Sequence, residues 1–196
     1  MRDADTELFL EVKEGNDQSF SKLYQKYYPK TLNLIYRFIP DQEHAEDIAQ
    51  DIFVRVYFGA KTFSPQSKFS TWLYKVTVNR CFSHHKKAKQ ERERYVSESE
   101  FALDEKDDNP FTIENHPSSL APPGEDIIKH ELYQEIQSAL NKLPPDQKMA
   151  FLLLEYTGLS YQEIARVSDT SVKAVERRIY HARQKLKALL KGYVSA

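Results

Sequence analysis

Cysteine occurs once in this chain, at Cys81, so no internal disulfide and none of the zinc clusters built from two or four cysteines can form. His84 and His85 are adjacent and point to different sides of a helix, a poor arrangement for a metal. No metal and no cofactor is expected. Glycine is scarce as well, with five in 196 residues. Nothing resembles a glycine-rich phosphate loop or a nucleophile paired with a base, and the expectation is a protein without catalytic chemistry. No apolar run approaches membrane-spanning length, and no charged leader with an apolar core opens the chain. A cytoplasmic protein is expected.

What is abundant is Lys, Glu, Gln, Leu and Ala, without sustained period-two alternation. That pattern predicts an all-α chain, and 196 residues suit two small helical domains. The net charge of −1 hides a strong segregation. Between Lys75 and Arg94 seven Lys or Arg face two Glu; from Ser97 to Asp126 nine acids face Lys106 alone; from Pro144 onward nine cations face five acids. Partners must therefore be argued segment by segment.

Asp5 or Thr6 is expected to cap a first short helix carrying Leu8, Phe9 and Val12, which Gly15 ends, and Asn16 or Asp17 to cap a second. Phe20, Leu23, Tyr24, Tyr27, Leu32, Ile35 and Phe38 continue at helical spacing, with Pro29 kinking or dividing the element. After Pro40 a third helix buries Ala45, Ile48, Ala49, Ile52, Phe53 and Val56, leaving Glu46, Asp47, Gln50, Asp51 and Arg55 outside. Residues 61–70 combine Phe63, Ser64, Lys68 and Phe69, which reads as a pocket for an unstacked base: aromatic faces stack, hydroxyls read edges, Lys neutralises phosphate. The following helix buries Trp72, Leu73, Val76 and Phe82 and offers Lys75, Asn79 and Arg80 with His84, His85, Lys86 and Lys87. Periodicity is absent from residues 95–125, an acidic, proline-containing linker with a root-mean-square span of roughly 30 Å. It permits separation of two domains without setting a distance, so a third body must hold them if two DNA elements are read together.

Beyond the linker, two amphipathic helices lead to a helix-turn-helix. Ser160 and Glu163 have capping-box spacing, Ile164, Ala165 and Val167 are apolar, and Ser168, Asp169 and Thr170 turn the chain. Val172, Val175, Ile179, Ala182, Leu186 and Leu189 then stripe a long basic helix. Lys173, Glu176, Arg177, Tyr180 and His181 are expected to face a DNA major groove, with Arg178 and Arg183 nearer the phosphates.

The stretches Ala45-Glu46-Asp47-Ile48-Ala49-Gln50-Asp51-Ile52-Phe53, Phe69-Ser70-Thr71-Trp72-Leu73 with Val78-Asn79-Arg80, and Leu159-Ser160-Tyr161-Gln162-Glu163-Ile164-Ala165 with Val175-Glu176-Arg177-Arg178-Ile179 stand in this order. Together they resemble a bacterial RNA polymerase sigma factor of the extracytoplasmic-function subfamily over nearly the whole chain. The resemblance implies region 2 in residues 1–94 and region 4 in residues 126–196. It implies that Asp47, Gln50, Asp51, Phe53 and Arg55 dock on the coiled coil of the polymerase's largest subunit, with the polymerase flap as a further partner. Phe63, Ser64, Lys68, Phe69, Trp72, Lys75, Asn79 and Arg80 would capture a flipped base of the minus-10 element. Lys173, Glu176, Arg177, Arg178, Tyr180, His181 and Arg183 would read the minus-35 duplex, and an anti-sigma factor would mask the polymerase-binding surfaces. Two readings from the residues alone stay open: a helix-turn-helix regulator that acts without polymerase, and a helical adaptor for an acidic protein.

Overall fold

A computed structural model describes residues 3–39, 41–65, 67–99 and 126–191. Among them there are eight α-helices, one short 3-10 turn and no strand. Helix α1 spans Ala4–Lys13 and is capped by Asp3, which accepts from the Thr6 amide at 3.2 Å. The expected caps, Asp5 and Thr6, have other work. Asp5 holds Lys26 and the Tyr27 hydroxyl, at 2.7 and 2.6 Å, and Thr6 is buried with its hydroxyl bonded to Asp3.

Helix α2, Asp17–Phe38, starts at Asn16, whose side chain accepts from two first-turn amides. Pro29 lies inside it without dividing it. Tyr24 and Tyr28, one turn apart, stack at 4.7 Å beside the proline, and Leu23, Tyr27, Leu34, Ile35 and Phe38 bury the opposite face. Helix α3, Gln42–Gly59, is capped by Asp41, and its expected apolar side is buried throughout.

Helix α4, Phe69–Ser99, runs five residues into the stretch assigned to the linker. Its first backbone amide, at Phe69, donates to the Thr6 hydroxyl at 3.0 Å, so α1 supplies the cap that α4 lacks locally. An aromatic knot fills this end: Phe9 lies 5.0 Å from Phe63, 4.6 Å from Phe69 and 5.2 Å from Trp72, centroid to centroid. The rest of the expected linker, 100–125, lies outside the described residues.

Helices α5 (Asp126–Asn141) and α6 (Pro145–Thr157) brace α7 (Tyr161–Val167) and α8 (Val172–Leu189). Gly158 ends α6 at φ +72, the left-handed cap conformation that glycine adopts at least cost. The capping box at Ser160 and Glu163 is complete, and Asp169 makes the turn with φ +46. Val175, Ile179, Ala182 and Leu186 form the buried stripe of α8; Val172 and Leu189, expected in it, are over a third exposed because they sit at the two ends, past the reach of α6.

The two halves are packed together. Helix α6 lies along α2, and α7 lies on α4. Phe38 at the end of α2 meets Phe82 of α4 at 5.5 Å, and the Lys148 ammonium from α6 donates to the Phe38 carbonyl at 3.0 Å and to Asn141 at 2.7 Å. Gln137 of α5 donates to the Arg37 carbonyl at 2.9 Å, and the Arg37 guanidinium covers the Tyr156 ring at 4.3 Å.

Candidate functional site

Three surfaces carry the expected residues. On α3, Asp47, Gln50 and Arg55 are exposed and Asp51 is half-buried, all at the three- and four-residue steps of one face. Asp51 is shared: its Oδ2 accepts from Arg55 Nε at 2.9 Å and lies 2.8 Å from Arg80 Nε on α4. Burial alone would raise its carboxyl pKa, but the hydrogen bond and charge of Arg55, joined by Arg80, outweigh it and hold it below the ordinary value.

Phe53 belongs to the opposite side. Its ring is buried, edge-on to Tyr24 at 5.0 Å and Tyr28 at 5.5 Å, and it forms the floor of a groove rather than a contact that stands free. Phe20, Tyr24, Gln50, Val54, Tyr57 and Phe58 complete that groove, with Phe58 67% exposed and Val54 54% exposed. The sequence reading missed these two. Their signal was an apolar residue on an otherwise polar face, three and seven positions after Asp51.

The second surface is the loop before α4 and the start of that helix. The pocket of exposed aromatics expected there is not what forms. Phe63 and Phe69 are 3% and 1% exposed, locked against Phe9 and Tyr27, and neither can stack on a base as placed. The reason is α1, whose Phe9 gives both rings an apolar partner worth more than water. Ser64, Lys68 and Asn79 are exposed; Trp72, Lys75 and Arg80 are half-buried. What remains is a polar and cationic strip over an aromatic scaffold.

Two cations of that strip are engaged by the helix-turn-helix. Lys68 Nζ bonds Glu163 at 2.8 Å, and Lys75 Nζ bonds Asp169 at 2.7 Å. Partial burial would raise the Glu163 carboxyl, yet Lys68 together with the Ser160 backbone and hydroxyl brings it down to about 2.

The third surface is α8. Lys173, Glu176, Arg177, Tyr180 and His181 are exposed on one side, as expected of a groove-facing ridge. Arg178 and Arg183 are committed elsewhere: Arg178 bonds Asp146 at 3.0 Å and Arg183 bonds Glu155 at 2.8 Å, tying α8 to α6. No group of carboxylates, His or Cys suited to a metal occurs among the described residues.

An acidic face with an apolar groove, a cationic strip and a helix-turn-helix with its ridge outward thus stand on one chain. Residues 23–91 match the family Sigma-70 region 2, and residues 133–186 match Sigma-70 region 4. The RNA polymerase sigma-H factor of Pseudomonas aeruginosa is 31% identical over 183 residues, 93% of this chain and 92% of the relative. The ECF RNA polymerase sigma-E factor of Escherichia coli K12 is 30% identical over 185 residues, 92% of this chain and 91% of the relative. The chain belongs to the extracytoplasmic-function sigma factors. As a sigma factor it is a promoter-specificity subunit of RNA polymerase. The solved structure of CnrH in complex with the cytosolic domain of CnrY superposes on this sigma factor with a TM-score of 0.69 at 26% identity, covering 97% of this chain and 99% of that one. The Bartonella quintana sigma factor RpoE, solved with the anti-sigma factor NepR, shares the fold at a TM-score of 0.66 and 24% identity. The region 2 match begins inside α2, so α1, which holds the sigma factor's aromatic knot together, lies ahead of it. No helix among the described residues is long and apolar enough to cross a membrane.

Proposed function

We propose that this sigma factor divides promoter recognition among its three surfaces. Asp47, Gln50, Asp51 and Arg55, with the groove of Val54, Tyr57 and Phe58, dock on the coiled coil of the polymerase's largest subunit. Charge orients the approach and the exposed apolar rings supply the buried contact. Ser64, Lys68, Lys75, Asn79 and Arg80 hold the minus-10 strand, Lys and Arg on phosphate and Asn79 on a base edge, while Phe63, Phe69 and Trp72 support the strip from beneath. Lys173, Glu176, Arg177, Tyr180 and His181 read the minus-35 duplex. The protein performs no reaction itself and works in the cytoplasm, with core polymerase and promoter DNA as partners. An anti-sigma factor is a further partner, as CnrY is for CnrH in their solved complex. A second copy of the apolar groove's chemistry, an amphipathic helix, is what such a regulator would present.

The observation that supports this reading best is the coexistence of the docking face on α3 and an outward recognition ridge on α8 in one chain. A polymerase-independent regulator needs the ridge but has no use for an exposed groove with Phe58 two-thirds in water. The test is purification with core polymerase followed by transcription from a defined promoter. Complex formation and a discrete start site are expected; tight duplex binding with no affinity for core polymerase would leave only the free-standing regulator.

A further inference from the structure

The helix-turn-helix rests on the part of α4 that the proposed function gives to the minus-10 strand. Helix α7 packs on α4, Glu163 holds Lys68 and Asp169 holds Lys75, at 2.8 and 2.7 Å. The same two ammonium groups are the ones a phosphate chain would need. Glu163 and Asp169 are thus carboxylates standing where phosphates would stand, one at the first turn of α7 and the other at its exit turn. The α8 ridge faces away from this contact and stays exposed. Helix α6 keeps the two halves together from the other side through Lys148, Gln137 and the Arg37–Tyr156 contact.

We propose that region 4 is an intramolecular competitor for the minus-10 strand: in the free chain its two carboxylates occupy Lys68 and Lys75, and the strand is admitted only when region 4 is drawn away. This rests on the assignment of Lys68 and Lys75 to the strand. Polymerase binding then has a second role besides scaffolding, since separating the halves unmasks the strip. Each pair is partly exposed and modest alone, so the apolar packing of α6 on α2 provides the closure and the ion pairs set where α7 sits.

Both carboxylates can be neutralised without disturbing the local fold. Gln serves at the third position of a capping box as Glu does, and Asn tolerates the left-handed conformation of residue 169. The full chain is labelled with a donor and acceptor at Ser83→Cys and Gln184→Cys, both exposed; native Cys81 is buried and stays unlabelled. A single-stranded minus-10 oligonucleotide added to the free protein should lower energy transfer as it displaces region 4. The double variant Glu163→Gln, Asp169→Asn should bind that oligonucleotide roughly three- to tenfold more tightly, with minus-35 duplex affinity unchanged. Energy transfer that stays constant while the strand saturates overturns the competition, as does equal strand affinity in both proteins. Asn79→Ala in the holoenzyme separates the two failures: if promoter opening still falls, the strand assignment stands and only the masking is wrong.

Discussion

Asp51 is the residue on which two of the three surfaces meet. It was expected simply to face polymerase, yet it neutralises Arg55 beside it and Arg80 on the strand-facing helix. Replacement therefore acts on both partners. Asp51→Arg should weaken the core complex and also impair promoter opening, whereas Asp47→Arg should affect the first and spare the second; core-polymerase affinity and permanganate reactivity of the promoter, measured on the same variants, check this. Equal effects of the two variants on opening would detach Arg80 from Asp51. Glu163 shows the pH consequence of such pairing. Its folded value of about 2 lies below the ordinary 4.5, so its stabilising contribution is present above pH 4.5 and is lost as pH falls toward 2. Acid titration of thermal stability should therefore be shallower in that window for Glu163→Gln. Gly158 is a backbone case: a Cβ there meets nothing within 4 Å, but φ is +72, so Gly158→Ala should cost about 1 kcal/mol through conformation alone. Gly158→Asn should cost less, read as a higher melting temperature than the alanine variant.

At the scale of elements, α1 and α8 do more than their sequences announce. Helix α1 reads as a short N-terminal appendage, yet its Thr6 caps α4 and its Phe9 turns two loop aromatics into core. Phe69→Ala should cost about 3–5 kcal/mol of stability, as a buried Phe does, visible in denaturant unfolding. An exposed stacking ring would lose promoter opening instead with little change in stability. On α8, Arg177 points outward and Arg178 is spent on Asp146. Arg177→Ala should cost about 1–3 kcal/mol at one base position if it grips a base edge. Arg178→Ala should leave the sequence preference intact, which binding to a panel of single-base duplex variants would show. A uniform loss for Arg177→Ala would assign it to phosphate.

The whole molecule is a closed two-part body with a buried cation at its seam. Lys148 is 5% exposed, and its hydrogen bonds go to the Phe38 carbonyl and the Asn141 amide, neither of which carries charge. Burial brings its pKa down from 10.5 to about 8; nearby Cys81, itself pushed up by burial to about 12, is a neutral thiol through that range. The charged ammonium disfavours closure, so closure should tighten as pH rises from about 8 to 10.5, by about 3 kcal/mol in all. Energy transfer between the halves, followed over that range, should lose its pH dependence in Lys148→Met.

Helix identity, caps and the turn of the helix-turn-helix were legible in the sequence because they depend on neighbours three or four residues away. Asn16, Asp41, the Ser160–Glu163 box, Gly158 and the Val175–Ile179–Ala182–Leu186 stripe all follow from local spacing. The outward side of α3 and the ridge of α8 followed for the same reason. Which aromatics of residues 61–70 face water could not be read that way, since Phe9 lies more than fifty positions earlier. Nor could the partners of Lys68, Lys75 and Lys148, whose contacts cross about a hundred positions of chain. Local spacing decides what each helix can offer; only the packing of one helix on another decides which of those groups is free to be used.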